Sequence, residues 1–494
     1  MSSTVSTAFG DLRGTDHDGI TSFLGVPYAA PLTTANRLRP PQAPQPWTGI
    51  RTADRYGPTA TQNSYAPPYS DLFVEPKIDG AEQLNVNIWS PDSSGQAPVL
   101  VWIHGGAFAH GAGSLPQYDG SSFARNGVVC VTINYRLGIE GFLDLGDDDA
   151  NIGLRDQIAA LSWVRDNIAV FGGDPNRVTV AGQSAGAMSI GALLSSPSAT
   201  GLFHGAILQS GACHQTISRD TAKVVGAHLA EQLEISADRE SFAQVDSDRS
   251  LAELATLETS LQTAPDFAKF REAAANMMPM SPSIDGNVIP QPPLDAVSQG
   301  SAEKVPLLIG TNLDENMLFL SPSGAIDAID EDTLRASIAG YGITDVESAL
   351  ELYTVDADRR PGRTLAALAT DWMFRIPAAR LAEAQHQAHG GPTFMYEFAW
   401  QSRALDGCLA ACHSVEIPFV FNTLDEDGSD LLTGPAPQEL ADEVHQAWIA
   451  FIRDGAPGWR PYSPDDRAVQ RFNTSTQTIT DPRSESRKLW NGIR

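Results

Sequence analysis

The residues around Ser184 are typical of a catalytic nucleophile. Residues 178–191 read VTVAGQSAGAMSIG, which is a β-branched run, the pattern G-x-S-x-G and a run of small residues. On a sharp strand-to-helix turn the serine hydroxyl is exposed, and glycines two positions away on each side leave room for the turn. The helix that follows directs free N–H groups and its positive dipole end towards an oxyanion. We therefore predict that Ser184 is a nucleophile.

A glycine-rich turn earlier in the chain predicts the oxyanion donors that such a serine needs. The apolar run that ends at Ile103 leads into HGGAF at 104–108. The backbone N–H groups of such a turn form an oxyanion hole together with the N–H of the residue after the nucleophile, here Ala185. Small residues allow the substrate carbonyl to approach the backbone closely. An ordinary glycine-rich turn is the alternative interpretation.

The base and its orienting acid are predicted at strand ends later in the chain. His413 lies in a small-residue loop after a late strand, where this chain order places the imidazole. The run VPLLIGTN (305–312) leads through one leucine into Asp314 and Glu315. Either carboxylate could orient the imidazole, because spacing alone does not separate them.

Apolar strand-like runs alternate with helical patterns, which predicts an α/β fold with a large, mostly parallel sheet flanked by helices. We expect strands at 97–105, 128–136, 177–182, 205–211, 305–312 and 392–400, with helices between them such as the one at 154–172. Catalytic groups are expected on loops at the carboxyl ends of such strands. Residues at about 214–280 and 320–390 are expected to form helical insertions that cap the sheet. No linker is evident, so a single domain over 1–494 is expected.

The charge balance excludes two classes of partner. The 494 residues carry 33 basic and 60 acidic side chains, for a net charge of −27. Such an acidic surface repels nucleic acid and anionic membranes, so neither is expected as a partner. The first residues lack the basic and apolar segments of a signal peptide, and no apolar run of about 18 residues occurs. We therefore expect a cytoplasmic protein.

The four cysteines predict reduced thiols rather than a metal site. They stand at positions 130, 213, 408 and 412. Cys408 and Cys412 are four residues apart beside His413, a spacing that can hold a metal ion. No second cluster of ligands accompanies them, so no metal is expected.

Together these segments resemble the type B carboxylesterases, the branch of the α/β-hydrolases that includes bacterial para-nitrobenzyl esterases and the cholinesterases. The similar stretches extend nearly from end to end: FLGVPYAAP (23–31), LNVNIWSP (84–91), VWIHGGAFAHGAGSLPQYDG (101–120), INYRLGIEGFL (133–143), residues 151–187, LQSG (208–211), GTNLDEN (310–316) and CHSVEIPFVF (412–421). The resemblance implies an α/β-hydrolase fold. It also implies a serine carboxylesterase that hydrolyses small-molecule esters through a covalent acyl-enzyme, with no cofactor.

The resemblance also implies roles for individual residues. In this family the acid of the triad is the glutamate of the D-E pair, which selects Glu315 over the aspartate before it. The histidine of the triad matches His413. The oxyanion donors match the N–H groups of Gly106 and Ala107, with that of Ala185 as the third.

Further residues are expected to support or surround the site. Glu416 matches a family glutamate behind the histidine, which implies a supporting role. Phe108, Met188, Leu318 and Phe319 flank the motifs and are candidates for an apolar acyl or alcohol pocket. A place in the core is the alternative, since an apolar side chain next to a motif is more often buried.

Departures from the family pattern bear on the substrate. The family usually reads G-E-S-A-G, and Gln183 replaces its glutamate, which weakens the attraction of cations and favours neutral esters. The chain reads EQL at 82–84 where the family reads E-D-C-L, so the usual first disulfide loop is absent. No tryptophan occurs between Trp47 and Trp89. The cation-binding tryptophan of the cholinesterases therefore has no counterpart, and a choline ester is not expected.

Two alternative functions stay open. Some bacterial aryl carbamate hydrolases of this family look similar around a G-Q-S elbow, so the same groups could hydrolyse a carbamate or an amide. The other alternative is a non-catalytic interaction protein on the same fold. Such members lose the serine or its partners, whereas this chain retains every triad candidate.

Overall fold

A large mixed β-sheet forms the centre of the fold. The computed structural model describes residues 3–354 and 360–493. In chain order their strands are β1 Thr4–Thr7, β2 Gly10–Arg13, β3 Thr15–His17, β4 Ile20–Pro27, β5 Ile50–Thr52, β6 Asn85–Ser90, β7 Ala97–Ile103, β8 Val129–Ile133, β9 Gly173–Gln183, β10 Gly205–Gln209, β11 Ile217–Ser218, β12 Ser283–Ile284, β13 Leu307–Asn312, β14 Thr393–Phe398, β15 Ala468–Phe472 and β16 Gln477–Thr480. Eleven of them pair in the order β16-β15-β14-β13-β10-β9-β7-β8-β6-β4-β3, while β1-β2-β5 and β11-β12 form two small sheets.

The centre of the large sheet is parallel, as the alternation of strands and helices predicts. The seven strands from β15 to β8 in this order all pair in parallel. Antiparallel strands occur only at the two edges of this sheet within the described residues. All six predicted strands belong to the parallel group. The edge strands and β15 were not predicted, because β15 and β16 are only partly buried and a register shift interrupts β4.

Helices cover both faces of the sheet. Within the described residues they are α1 Ser121–Arg125, α2 Gly138–Phe142, α3 Ile152–Asn167, α4 Ala185–Leu193, α5 Arg219–Gln232, α6 Arg239–Gln244, α7 Ser247–Thr263, α8 Phe267–Asn276, α9 Pro293–Ser298, α10 Met317–Leu320, α11 Ala325–Ala328, α12 Glu331–Gly340, α13 Val346–Thr354, α14 Pro361–Thr370, α15 Ile376–Gln387, α16 Ile417–Phe421, α17 Ser429–Thr433, α18 Gln438–Asp454 and α19 Ser484–Leu489. None of these helices is long and apolar enough to cross a membrane.

Burial on both faces explains why the central strands read as continuous apolar runs. Successive side chains of a strand point to opposite faces. On β7, Val101 and Ile103 belong to one apolar cluster and Leu100 and Trp102 to the other. The first cluster includes side chains of α3 and α4, and the second includes side chains of α18. The sheet is therefore a rigid layer from whose strand ends the candidate site is built.

Two long stretches between strands are mainly helical. Helices α5 to α9 lie between β10 and β13, and α10 to α15 lie between β13 and β14. A π-helical turn, Asp371–Arg375, joins α14 to α15 without a break. Pro377 follows this turn, and a proline has no N–H to donate to the preceding helical turn. The widened turn accommodates this proline inside one continuous helix.

Candidate active site

Ser184 lies between β9 and α4 in a strained backbone conformation. Its φ is 54° and its ψ is −123°, a combination that a residue with a side chain keeps only where its surroundings enforce it. The N–H of Ser184 donates to the carbonyl oxygen of Gln209, the last residue of β10, at 2.9 Å. A Cβ at Gly186 would lie 2.0 Å from the carbonyl oxygen of Ile103. Glycine therefore lets the turn approach β7, and Ser184 remains partly exposed at the carboxyl ends of the strands.

The structure brings His413 together with Glu315. His413 Nδ1 lies 2.6 Å from Glu315 Oε2, and both side chains are buried. Glu315 Oε1 accepts a second hydrogen bond from the N–H of Asn312 at 2.7 Å. The Asp314 carboxylate instead accepts from the N–H of Ala411 at 3.3 Å, and burial raises its pKa. Of the two adjacent carboxylates, Glu315 is the one that contacts the imidazole.

The second nitrogen of this imidazole contacts Gln183. His413 Nε2 lies 3.1 Å from Gln183 Nε2, and both side chains are buried. In the part of the chain that the structure describes, no hydrogen bond joins His413 to the hydroxyl of Ser184. Hydrogen bonds between a base and a nucleophile are often long in ligand-free enzymes and tighten when substrate binds. Gln183, a predicted substrate residue, therefore lies against the predicted base.

The HGGAF turn has backbone donors that are free to bind a ligand. Gly106, Ala107 and Phe108 have φ values of 112°, 53° and 61°. A Cβ at Gly106 would lie 2.1 Å from the carbonyl oxygen of His110, which explains the glycine. Across residues 3–354 and 360–493, the N–H groups of Gly106 and Ala107 have no hydrogen-bond acceptor. Two of the three predicted oxyanion donors are thus unoccupied beside β7.

His104 supports this turn and is not placed as a base. Its Nδ1–H donates to the carbonyl oxygen of Gly105 at 2.8 Å. Its ring stacks on Tyr135 with a centroid separation of 4.5 Å, and the Tyr135 hydroxyl donates to the His104 carbonyl oxygen at 2.9 Å. Burial lowers the pKa of His104 to about 4, so the imidazole is neutral at pH 7. The neutral His104 ring therefore places no positive charge next to the turn.

Glu416 lies behind the imidazole in a buried network. Its Oε2 accepts from Asn312 Nδ2 at 2.6 Å, and its Oε1 accepts from Gln209 Nε2 at 3.1 Å. Trp448 Nε1 donates to Gln209 Oε1 at 2.9 Å. Burial and then the nearby Glu315 carboxylate raise the pKa of Glu416. Asn312 and Gln209 were not predicted, although each is the polar last residue of an apolar strand, which is a signal that sequence reading could use.

Two phenylalanines contact the imidazole. The ring centroid of Phe374 lies 4.8 Å and that of Phe319 lies 5.3 Å from the centroid of His413. Phe374 is buried, whereas Phe319 is 38 % exposed. Phe319 was predicted and Phe374 was not, because Phe374 belongs to the π-helical turn far along the chain. Phe319 provides open apolar surface beside the predicted base.

The other predicted pocket residues are buried. Phe108, Met188 and Leu318 are at most 4 % exposed and belong to the apolar core clusters. Phe108 also packs edge-to-face on Phe142, with a centroid separation of 4.9 Å. This burial favours the core interpretation for all three, and their contact with a substrate stays a prediction.

Arg375 of the π-helical turn holds the loop between β13 and α10. Its Nη2 donates to the carbonyl oxygen of Leu313 at 2.7 Å, and its Nη1 pairs with the buried carboxylate of Asp371. The Tyr353 hydroxyl donates to the same carboxylate. Trp490 Nε1 donates to the Tyr353 hydroxyl at 2.8 Å. The second helical stretch and the C-terminal region are thereby tied to the loop that carries the candidate acid.

Comparison with known proteins identifies the family. The model of the carboxylesterase family matches residues 1–490. The chain is 36 % identical to the para-nitrobenzyl esterase of Bacillus subtilis (strain 168), over 98 % of this chain and 97 % of the relative. It is also 36 % identical to the phenmedipham hydrolase of Pseudarthrobacter oxydans, over 94 % and 93 %. A solved carboxylesterase of Geobacillus stearothermophilus superposes with a TM-score of 0.85 at 35 % identity, covering 99 % of each chain. The resemblance and the α/β-hydrolase fold are confirmed, and the chain belongs to the carboxylesterase family of carboxylic-ester hydrolases.

Proposed function

We propose that this protein hydrolyses neutral carboxylic esters through a covalent acyl-enzyme, with Ser184 as nucleophile, His413 as base and Glu315 as orienting acid. The observation that carries the proposal is the 2.6 Å contact between His413 Nδ1 and Glu315 Oε2. It joins two loops 98 residues apart in the chain. A buried carboxylate that accepts a hydrogen bond from Nδ1–H leaves Nε2 without a proton. Nε2 can then act as the base that a serine triad requires.

In the proposed reaction each of these groups has one role. Ser184 Oγ forms a bond to the ester carbonyl carbon as His413 Nε2 accepts its proton. The N–H groups of Gly106, Ala107 and Ala185 bind the oxyanion; losing one such donor typically lowers the rate by about 10²–10³. The C–O bond to the alcohol then breaks, and the alcohol leaves with the proton from Nε2. Water repeats these steps on the acyl-enzyme and releases the acid.

The surroundings of the site support a neutral, partly apolar substrate. Gln183 has no charge, and the exposed ring of Phe319 offers apolar surface next to the base. Burial of an aryl or alkyl group there contributes roughly 25 cal/mol for each Å² of apolar area removed from water. Cationic esters would lack a carboxylate partner beside the nucleophile. We also propose a cytoplasmic location, in keeping with four free thiols.

Carbamate hydrolysis is the second candidate function. It rests on the similarity to a protein named phenmedipham hydrolase. A carbamate would be cleaved by the same nucleophile and the same oxyanion donors, so the residues do not separate the two substrates. Matched p-nitrophenyl ester, aryl carbamate and anilide substrates decide between them. We expect the largest kcat/KM for the ester, and a larger value for the carbamate would reverse the order of the two proposals.

Replacement of the nucleophile tests the proposed function. Ser184→Ala should abolish p-nitrophenyl acetate turnover without altering thermal unfolding. Ser189→Ala is the matched control, since Ser189 lies in α4, is buried and hydrogen-bonds Gln157 rather than the site. An organophosphonate should label Ser184 in the wild type and in the control variant. Near-normal activity of Ser184→Ala, or an adduct on another serine, would refute the assignment.

A further inference from the structure

The side chain of Gln183 lies between the oxyanion turn and the imidazole. Its Nε2 is 3.1 Å from His413 Nε2. Its Oε1 lies on the other side, where it would be 2.9 Å from a Cβ placed on Gly105. Gln183 is 2 % exposed, so the amide exchanges few of these contacts for water. A glutamine next to the nucleophile thus contacts the nitrogen that must accept the proton of the nucleophile.

The proton count fixes the direction of this hydrogen bond. A neutral imidazole has one N–H, and an ionised carboxylate can only accept. Because Glu315 lies 2.6 Å from Nδ1, the N–H is on Nδ1 and the lone pair is on Nε2. The partner of that lone pair must therefore donate, and the NH₂ group of Gln183 is the donor. The resting enzyme is held in the tautomer in which Nε2 is a base.

The same bond competes with catalysis. Nε2 has a single lone pair and cannot accept from Gln183 and from Ser184 at the same time. After proton transfer Nε2 carries a hydrogen, which faces the NH₂ group of Gln183 unless the amide moves. The resting bond must therefore break, and the amide must move away from Nε2, before the base accepts the proton of Ser184.

The charged groups around His413 lie on three segments of the chain. Glu315 bonds Nδ1, and Glu416 lies behind the ring on the same loop. On the π-helical turn that contributes Phe374, Arg375 is paired with Asp371. Among the described residues none of these charged groups is hydrogen-bonded to Nε2, whose polar contact is the uncharged amide of Gln183.

We propose that Gln183 is a positioning residue whose NH₂ group donates to the lone pair of His413 Nε2 in the resting enzyme and releases it when the base accepts the proton of Ser184. This inference rests on the proposed function. It assigns Gln183 a role on the base in addition to the exclusion of charge from the substrate. A donor to Nε2 can bond only the neutral ring, so removing the donor takes a hydrogen bond from the neutral form and none from the imidazolium.

The pH dependence of kcat/KM tests the proposal. Gln183→Met keeps the length of the side chain but removes the donor, so the acidic limb should move to higher pH by roughly 0.4–1 pH unit, which corresponds to one net hydrogen bond. Gln183→Glu places an acceptor on Nε2 and should move the limb further in the same direction. Gln157→Met is the matched control, because Gln157 is a buried glutamine bonded to Ser189, and its limb should not move. Unchanged limbs in both Gln183 variants would overturn the proposal.

A spectroscopic measurement separates this proposal from the proposed function. In a Ser184→Ala background no hydroxyl competes for Nε2, and the ¹⁵N resonance of this atom reports its partner in the neutral ring. Adding Gln183→Met should move that resonance downfield, since a lone pair without a donor is deshielded. No change on adding Gln183→Met would refute the resting bond even if Ser184 is the nucleophile. A shift in a protein whose Ser184→Ala variant remains active would retain the bond and refute the proposed function.

Discussion

Replacing Glu315 by glutamine should change the tautomer of the imidazole. The Glu315 carboxylate accepts from the N–H of Asn312 at 2.7 Å and from His413 Nδ1 at 2.6 Å. A glutamine has one acceptor oxygen and one NH₂ group. The backbone N–H of Asn312 can only donate and keeps the oxygen, so the NH₂ group then faces Nδ1. The imidazole proton moves to Nε2, which can no longer accept the proton of Ser184.

The size of the loss follows from the role of this tautomer. A triad with the wrong tautomer typically loses about 10⁴ in kcat, equivalent to about 5.5 kcal/mol of transition-state stabilisation. The Asp314→Asn control retains the oxygen that accepts from the N–H of Ala411 and has no contact with the imidazole. We expect this control to lose less than about tenfold, because it alters neither the tautomer nor the nucleophile.

The assay is kcat and kcat/KM for p-nitrophenyl acetate near pH 8, with urea unfolding measured on the same samples. Both variants preserve side-chain volume, so we expect folded proteins that differ in activity rather than in the cooperativity of unfolding. A larger loss of activity in Asp314→Asn than in Glu315→Gln would refute the role of Glu315. Retention of more than about a tenth of the wild-type kcat by Glu315→Gln would refute it too.

Three further predictions concern substrate binding, packing and pH. Phe319→Ala should raise KM for aryl esters by about 5–20-fold and alter kcat less, because the exposed ring is lost for ground state and transition state alike; an equal effect on small alkyl esters would contradict this. Arg375→Met should lower the free energy of unfolding by about 3–5 kcal/mol, since it leaves the buried Asp371 without its cation, whereas Arg335→Met at an exposed pair should change it by less than about 1 kcal/mol. Similar urea midpoints for these two variants would refute the difference. Burial raises the pKa of Glu258 from 4.5 to about 7, so the folded state loses stability as pH rises through this window. Glu258→Gln should therefore stabilise the protein by about 1–2 kcal/mol at pH 8.5 and little at pH 4, measured by thermal unfolding.

Local patterns predict the parts of the site that lie on one strand end each. The elbow at Ser184 and the turn at 104–108 each contain a glycine where a Cβ would lie about 2 Å from a backbone oxygen. Only glycine fits at such a position, so the sequence pattern is visible locally. The central strands are predictable for a related reason, since burial on both faces makes them continuous apolar runs. Edge strands such as β16 lack this burial and this signal.

Contacts between distant elements are beyond such patterns. Asp314 and Glu315 are equivalent by spacing, and the resemblance to a family, rather than periodicity, selected the residue that the structure places against His413. Phe374 contacts the same ring because the π-helical turn changes the helix register, which no 3.6-residue pattern encodes. Asn312 links both buried carboxylates, because its N–H donates to Glu315, three residues away, and its Nδ2 donates to Glu416, 104 residues away. Such a link depends on which strands are neighbours in the sheet.

The π-helical turn is a place beside the candidate site where a change in chain length would alter the direction of a side chain. Each residue of an α-helix turns the chain by about 100° and advances it by about 1.5 Å. Deleting one residue within Asp371–Arg375 would restore a regular helix and swing Phe374 away from the imidazole, while α14 and α15 could remain helical. A change in chain length would thus alter the wall next to the base without substituting Ser184, His413 or Glu315, and it would also alter the bond from Arg375 to the Leu313 carbonyl oxygen. Relatives with different substrate ranges could differ here by the insertion or deletion of a residue in the π-helical turn rather than by substitutions.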